Sequence, residues 1–159
     1  MPIGRAFRSA IPVAIGLAVV AAAAIAQGQA QPTKGEQALK YRKAVYQAIA
    51  WNMGSLGAMA QDKAPFDAAD FAMRAGRVAA LTPMLAESYI PETRGIANSR
   101  LKEAMWTNRA DFDAKMKTLV ERSAQLAQTA RGSDAAQARA AFFDMANACK
   151  ACHEKYRSD

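Results

Sequence analysis

The sequence predicts an all-α fold, an antiparallel four-helix bundle, and two observations support this prediction. Alanine is abundant, whereas the runs of Val, Ile and Thr that are typical of strands are nearly absent. Apolar residues recur at steps of three and four within each long segment, which is the spacing of amphipathic helices. Helix-breaking residues interrupt this pattern at 62–65, at about 89–99 and at 132–134. Four amphipathic helices with three connections, two of them short, bury their apolar faces most economically in such a bundle.

The first two helices are expected on either side of the first interruption. The first runs from about Glu36 to Gln61. Its inward positions are Leu39, Arg42, Tyr46, Ile49, Met53, Leu56 and Ala60. The second begins where Asp67 can cap it and continues until Pro83 disturbs it. Its inward positions are Phe71, Ala75 and Val78, followed by Leu81 or Thr82.

The last two helices are expected on either side of Gly132, a residue suited to the left-handed position after a helix. The third runs from about Leu101 to Arg131. Its inward face carries Trp106, Phe112, Met116, Leu119, Ser123 and Leu126. The fourth is capped by Ser133 or Asp134 and continues to about residue 157. Its inward stripe is Ala138, Phe142, Met145, Cys149, Cys152 and Tyr156, so both cysteines are expected to face the core.

The N-terminal thirty residues differ from the rest and have the layout of a signal peptide. Arg5 and Arg8 precede an almost uncharged run from Ala10 to Ala26, which is shorter in its apolar core than a membrane span requires. Small residues near its end provide sites for a signal peptidase, so we expect cleavage after Ala26 or Ala30. An uncleaved N-terminal anchor helix is the alternative. In either case the remaining chain is exported.

The mature chain, residues 31–159, has the length of one domain. Removing the two arginines of the leader lowers the formal net charge from +7 to +5. The charges alternate in sign along the chain and form no basic block, so nucleic-acid binding is not predicted. A moderate positive excess can still attract an acidic redox partner protein.

The chemistry of the chain is concentrated in one short motif, Cys149-Lys150-Ala151-Cys152-His153. Residues three or four apart share a helix face, so the sulfurs of Cys149 and Cys152 can both reach the vinyl groups on one edge of a haem. His153 follows directly and is placed to ligate the iron. The motif predicts one haem c, covalently attached through two thioethers, with His153 as the metal ligand.

Three other interpretations of the motif compete with haem attachment. A structural zinc site needs about four ligands, and His153 is the only histidine of the chain. A thioredoxin-like redox pair is typical of a βαβ pattern, which this sequence lacks. A chance match would have to include both cysteines and the only histidine of an exported chain.

Arg42 is informative because it occupies a position of the core pattern on the first helix. Cys149 and Cys152 lie on the apolar face of the last helix, so the haem is expected inside the bundle. Its other face is then expected to meet the first helix. A buried charge is costly unless it meets a partner such as a haem propionate. In the alternative, Arg42 packs its stem at the end of the bundle and extends its head into water.

The sequence resembles the class II c-type cytochromes, the cytochrome c′ and cytochrome c-556 group, whose haem motif lies near the C terminus. Three segments carry the resemblance: Cys-Lys-Ala-Cys-His-Glu-Lys-Tyr-Arg at 149–157, Tyr-Arg at 41–42, and Ala-Pro-Phe-Asp at 64–67. The resemblance covers about residues 33–159. The four-helix bundle that it implies agrees with the one predicted from periodicity.

The resemblance also implies roles for individual residues. His153 ligates the iron on one face, Arg42 corresponds to the basic residue near the haem propionates, and Arg157 to the arginine close to the proximal histidine. The position five after Tyr41 meets the opposite face of the haem. A methionine at that position gives the six-coordinate c-556 type, whereas this chain has Tyr46, which favours the five-coordinate c′ type.

We therefore expect a periplasmic, high-spin, five-coordinate haem c protein that binds small gases, nitric oxide or carbon monoxide, transfers electrons, or does both. The alternative is a low-spin, six-coordinate electron carrier of the c-556 type, with Met53 as the second axial ligand. Met53 on such a helix face is otherwise core filler, and Trp106 and Phe142 are interpreted as packing residues. Ligation by the Tyr46 phenolate would require a strongly perturbed pKa.

Two further expectations concern activity and assembly. A peroxidase needs a distal acid–base pair, and no second histidine exists to supply it, so no enzyme activity is expected. The family resemblance suggests a homodimer, and Val45, Ala48 and Trp51 are apolar residues of the first helix that we expect to face outward. Scattered surface apolar residues are the alternative interpretation of these three.

Overall fold

The structure is a computed structural model that describes residues 31–132 and 134–158. The signal peptide and its cleavage sites after Ala26 or Ala30, like the capping role of Ser133, lie outside the described residues. The described part contains helices and no strand, apart from one isolated antiparallel bridge between Leu101 and Arg157. The helices are α1 (Lys34–Ala60), α2 (Ala68–Leu81), α3 (Ala104–Thr107), α4 (Arg109–Thr129) and α5 (Ala135–Tyr156), with 3₁₀ segments at Thr82–Ser88 and Pro91–Thr93.

The four long helices form the antiparallel four-helix bundle that the periodicity predicts. α1 packs against α2, α2 against α4, α4 against α5, and α5 closes the ring against α1. α3 is a single turn that packs between α4 and α5. In the described part of the chain no helix is long and apolar enough to span a membrane.

Side-chain caps set where the long helices begin. Asp67 accepts hydrogen bonds of 2.9 Å from two backbone N–H groups of α2, and Asp134 does the same for α5 at 2.9 and 3.1 Å. α1 begins two residues before the predicted Glu36, because Thr33 and Glu36 form a reciprocal capping box. The predicted cap residues Asp67 and Asp134 are therefore confirmed.

The predicted third helix is wrong at its start, and Gly132 does not adopt the left-handed conformation expected after its end. The chain does not enter a helix at Leu101, which instead pairs with Arg157, and Asn108 (φ −125°, ψ 46°) separates the short turn α3 from α4. Within α3 it is Met105 that is fully buried, while Trp106 packs against the core from a half-buried position. α4 ends at Thr129, and no residue in the left-handed region closes it; the only such glycine in the described chain is Gly95.

α1 is packed on more than one side, so the prediction that Val45, Ala48 and Trp51 all face outward is wrong. Val45 is buried in the core rather than exposed, because α1 packs against α2 and the Thr82–Ser88 segment as well as against α5. Ala48 is half-buried, whereas Trp51 is 74% exposed. Of the three residues expected to face outward, only Trp51 is clearly on the surface.

Candidate haem site

A cavity of about 480 Å³ lies inside the bundle, between α1, α4, α5 and the segments around residues 82–89 and 99–101. Most of its wall is apolar, and its mouth opens to solvent. This size and lining are typical of small-molecule and cofactor sites. The lining includes every residue that the sequence analysis assigned to the site: Arg42, Tyr46, Cys149, Cys152, His153 and Arg157.

Both cysteines lie on the α5 wall of the cavity. Cys149 and Cys152 are half-buried free thiols, and they occupy one face of α5 because they are three residues apart. Burial raises the pKa of both thiols above the ordinary range. They are thus neutral thiols held against an apolar chamber, which suits covalent attachment to an apolar edge of a bound group.

His153 lies one position further along α5 and also lines the cavity. The pKa of the imidazole is lowered, mainly by partial burial and to a smaller extent by the positive charges of Arg157 and Arg100. No side chain in residues 31–132 and 134–158 hydrogen-bonds to this imidazole. A neutral imidazole with an available nitrogen is the form of histidine that ligates a metal.

Arg42 is held by protein groups on the side of the cavity formed by α1. Its Nε donates to Ser88 Oγ at 3.2 Å, and its Nη2 donates to Thr93 Oγ1 at 3.0 Å and to the Ser88 carbonyl oxygen. Only 5% of the residue is exposed, so its head does not extend into water, as one interpretation of the sequence had it. Burial lowers the pKa of the guanidinium, and the hydrogen bonds satisfy its Nε and Nη2 groups.

Tyr46 is not alone on its wall of the cavity. Its hydroxyl oxygen lies 2.8 Å from that of Tyr89, and the guanidinium carbon of Arg42 lies 3.9 Å from the centroid of the Tyr89 ring. The pKa of both phenols is raised above the usual value, and burial is the largest cause for each. Tyr46 is therefore a neutral phenol at neutral pH.

The other residues weighed from the sequence fall into two groups. Met53 is half-buried and lines the cavity, so the structure leaves it within reach of a bound group. Trp106 and Phe142 do not line the cavity; they pack against or within the core, as expected of packing residues.

Sequence reasoning missed two residues of this site, Tyr89 and Arg100. Tyr89 follows the Thr82–Ser88 segment and Arg100 precedes the bridge at Leu101, so neither belongs to a helix whose period would have indicated its direction. Arg100 donates from Nε to the Ser158 carbonyl oxygen at 3.0 Å, at the mouth of the cavity. The only signal in the sequence was that both residues flank the long predicted loop.

The donor set of the cavity fits a haem. An apolar chamber can bury a flat macrocycle, two thiols on one face of a helix match its two vinyl groups, and a neutral imidazole is adjacent to them. The exposed Arg100 and Arg157 also line the cavity, so the site contains cationic groups of the kind that pair with carboxylates. Within the described residues no cluster of three or more His, Cys, Asp or Glu side chains offers a separate metal site.

Comparison with known proteins agrees with this arrangement. Residues 37–157 match the family described as Cytochrome C'. The chain is similar to the solved cytochrome c prime from Shewanella frigidimarina, with 36% identity and a TM-score of 0.77 over 81% of this chain and 100% of that chain. Cytochrome c' of Rubrivivax gelatinosus is 32% identical over 124 residues, 78% of this chain and 96% of that protein. A nitric oxide complex of a variant of cytochrome c prime from Alcaligenes xylosoxidans is 28% identical, with a TM-score of 0.73 over 81% of this chain and 100% of that chain.

These likenesses span nearly the whole described chain, including α1 and the motif at the end of α5. The cofactor of such proteins is a covalently bound haem c with iron, which confirms the cofactor that the motif predicts. This chain therefore belongs to the cytochrome c′ family and is a haem c protein of the electron-carrying or gas-binding kind.

Proposed function

We propose that Cys149 and Cys152 form the two thioether bonds to the haem and that His153 is its axial ligand. The support is that all three line one apolar cavity from one helix. Arg42 is assigned to the propionate side of the haem, and Arg157 to the surroundings of His153. Nη1 of Arg42 hydrogen-bonds to no described residue, so its two N–H groups are available to a carboxylate. Arg157 lines the same cavity as His153.

The attachment is tested by the double variant Cys149→Ala/Cys152→Ala, matured in a host that exports and assembles haem c. Acid and organic solvent extract haem that is held only by contacts, whereas thioether-bound haem stays with the chain. The proposal predicts that the variant releases its haem and that the wild-type protein retains it. Covalent haem in the variant would contradict the assigned attachment sites.

We further propose that the protein binds small gases, nitric oxide and carbon monoxide, at a five-coordinate site guarded by Tyr46. The observation that carries this function is the neutral Tyr46 phenol on the cavity wall, at the position that the resemblance assigns to the sixth coordination site. Haem iron supplies the gas binding and one-electron redox chemistry, and the distal surroundings decide which of the two dominates. The nitric oxide complex of the Alcaligenes relative supports the ligand class.

The Tyr46→Ala variant tests this guarding role directly. Removing the ring opens the apolar space that it fills, so carbon monoxide should associate faster than with the wild-type protein. Tyr41→Phe is a matched control, because Tyr41 lies on the same helix, bonds to Glu87 and does not line the cavity. Equal association rates in wild type and Tyr46→Ala would mean that Tyr46 does not guard the site.

A second candidate function is a six-coordinate electron carrier, and one observation favours it. Met53 lines the same cavity as His153 from a different helix, as a second axial ligand must. A thioether ligand would give a low-spin protein that carbon monoxide does not bind readily. The Met53→Leu variant keeps the volume of the side chain and removes the sulfur, so a change of spin state in this variant would identify Met53 as the ligand.

We infer three features of the setting from the sequence. Export to the periplasm follows from the signal peptide of residues 1–30, and mass spectrometry of the mature protein tests cleavage after Ala26 or Ala30. A homodimer is proposed through the α1 surface that carries exposed Trp51, and sedimentation of Trp51→Glu against wild type tests it.

Acidic redox proteins are the proposed electron partners, because the mature chain carries net positive charge. No enzymatic role is proposed.

A further inference from the structure

The residue that guards the cavity has one specific hydrogen-bond partner, and the sequence analysis did not include it. The hydroxyl oxygens of Tyr46 and Tyr89 are 2.8 Å apart, and both side chains line the cavity. The two residues belong to different parts of the fold, since Tyr46 lies on α1 and Tyr89 follows the 3₁₀ segment Thr82–Ser88. Among the described residues, no other side-chain hydrogen bond holds the Tyr46 hydroxyl.

Tyr89, in contrast to Tyr46, is fixed on several sides. The Arg42 guanidinium stacks on its ring at 3.9 Å, and the ring of Phe112 meets it edge to face with centroids 4.7 Å apart. Its carbonyl oxygen accepts a hydrogen bond of 3.1 Å from Nη1 of Arg109 on α4. Only 6% of Tyr89 is exposed, so its hydroxyl is a rigid anchor point.

Arg42 extends this anchor into the loop that follows α2. Its guanidinium donates hydrogen bonds to Ser88, the residue before Tyr89, and to Thr93 in the next 3₁₀ turn. Arg42 therefore holds both the ring of Tyr89 and the backbone that carries it. The Tyr46 side chain, by comparison, is only half-buried and reaches from its helix into an open chamber. Of the two side chains, Tyr89 is therefore the one that is held on more sides.

We propose that Tyr89 is a positioning residue that latches Tyr46 across the gas-binding side of the cavity. A gas molecule enters this space only when Tyr46 swings aside, and swinging aside breaks the Tyr46–Tyr89 hydrogen bond. The rate of ligand entry is thus set by the volume of Tyr46 together with the strength of this bond. This inference rests on the proposed gas-binding function and deepens it, because it names the residue that controls access.

The test compares carbon monoxide association in wild type, Tyr46→Phe, Tyr89→Phe and the double variant, all as haem-loaded proteins. Each single change removes one oxygen atom and keeps the ring, so the core packing stays in place. One net hydrogen bond corresponds to about a 3- to 10-fold change in an equilibrium or rate constant. Each single variant should bind carbon monoxide faster by about that factor, and the double variant should be no faster than the singles.

A spectroscopic readout separates latching from a merely structural role. In Tyr89→Phe the Tyr46 hydroxyl has lost its partner and is free to donate to bound carbon monoxide, which lowers the C–O stretching frequency. In the double variant that donor is gone, so the band should return toward its wild-type position. Tyr41→Phe serves as the control, since it removes a phenol hydrogen bond between α1 and Glu87 outside the cavity and should change neither rate nor band.

Failure of this inference and failure of the proposed function give different results. A wild-type protein that binds no carbon monoxide contradicts the five-coordinate function and the latch with it. A wild-type protein that binds the gas, but whose rate and C–O band are unchanged by Tyr89→Phe, overturns the latch alone. Strictly multiplicative effects of the two substitutions on the rate also overturn it, because a shared hydrogen bond can be lost only once.

Discussion

The guanidinium of Arg42 is both stacked on the ring of Tyr89 and hydrogen-bonded to Ser88, the residue that precedes it. One side chain of α1 thereby fixes the segment that closes the cavity after α2. A buried guanidinium is tolerated here because it donates to the hydroxyl and the carbonyl oxygen of Ser88 and to the hydroxyl of Thr93. Arg42, the charged residue at a core position of the sequence pattern, thus stabilises the segment that lines the site.

Arg42 should therefore contribute strongly to the free energy of unfolding. Arg42→Ala removes the fork and leaves the Ser88 carbonyl and the Thr93 hydroxyl without their donor, so we expect a loss of about 2–4 kcal/mol. Arg42→Lys keeps the charge without the fork geometry and should recover only part of this loss. Urea unfolding of the two variants and wild type measures both differences. A loss within about 0.5 kcal/mol for Arg42→Ala would show that the network is not stabilising.

Two glycines of α1 provide a matched test of the packing at its start. A Cβ at Gly35 would collide with the Glu92 carbonyl oxygen and with Ile96, so Gly35→Ala should destabilise the protein by about 1–3 kcal/mol. Gly54 has open space around it, and Gly54→Ala should stabilise the helix by about 0.5–1 kcal/mol. Thermal unfolding of both variants checks these opposite signs. A stabilising effect of Gly35→Ala would mean that α1 does not approach the 3₁₀ turn Pro91–Thr93 as closely as described, and a destabilising effect of Gly54→Ala would contradict the open space around Gly54.

Asp111 should make stability fall in acid. Hydrogen bonds, first from the Tyr156 hydroxyl and then from Lys155 at 2.9 Å, lower the pKa of the Asp111 carboxyl in the folded state. The unfolded chain then binds the proton at a higher pH than the folded chain does. The contribution is thus present above the ordinary carboxyl pKa and is lost as the pH falls through the lower folded value.

Urea unfolding midpoints measured between about pH 2 and pH 5 test this pH dependence. The Asp111→Asn variant should show a flatter fall in this window than wild type, and Tyr156→Phe, which removes the largest cause of the shift, should lie between them. Because Asp111 is substantially exposed, we expect a modest effect. Parallel curves for wild type and Asp111→Asn would show that this carboxylate is not linked to folding.

The helices whose buried residues recur at helical spacing were predictable from the sequence. The segments whose conformation depends on tertiary contacts were not. The inward positions of α2, Phe71, Ala75 and Val78, are all buried, because a helix packed on one face obeys its hydrophobic spacing. Val45 departed from the prediction, because α1 is contacted on two sides. The start of α4 also departed, because residues 101–108 form a bridge and a separate turn, which no helical period reveals.

The same division holds for the site. Cys149, Cys152 and His153 form a contiguous motif on one helix, so their meeting in one cavity was predictable from spacing alone. Tyr89 reaches the cavity from a segment without a repeating pattern, at the end of a 3₁₀ turn. Its pairing with Tyr46 spans 43 positions of the chain and depends on how that turn packs against α1. Only the folded structure shows this contact.

The central claim is that the iron has an open sixth position guarded by Tyr46. The most direct measurement is the visible absorption spectrum of the reduced, mature protein with and without carbon monoxide. We expect broad high-spin bands that shift when the gas is added, and a faster shift in Tyr46→Ala. Sharp low-spin bands that the gas leaves unchanged would contradict it and would point to a second protein ligand, with Met53 as the residue to replace next.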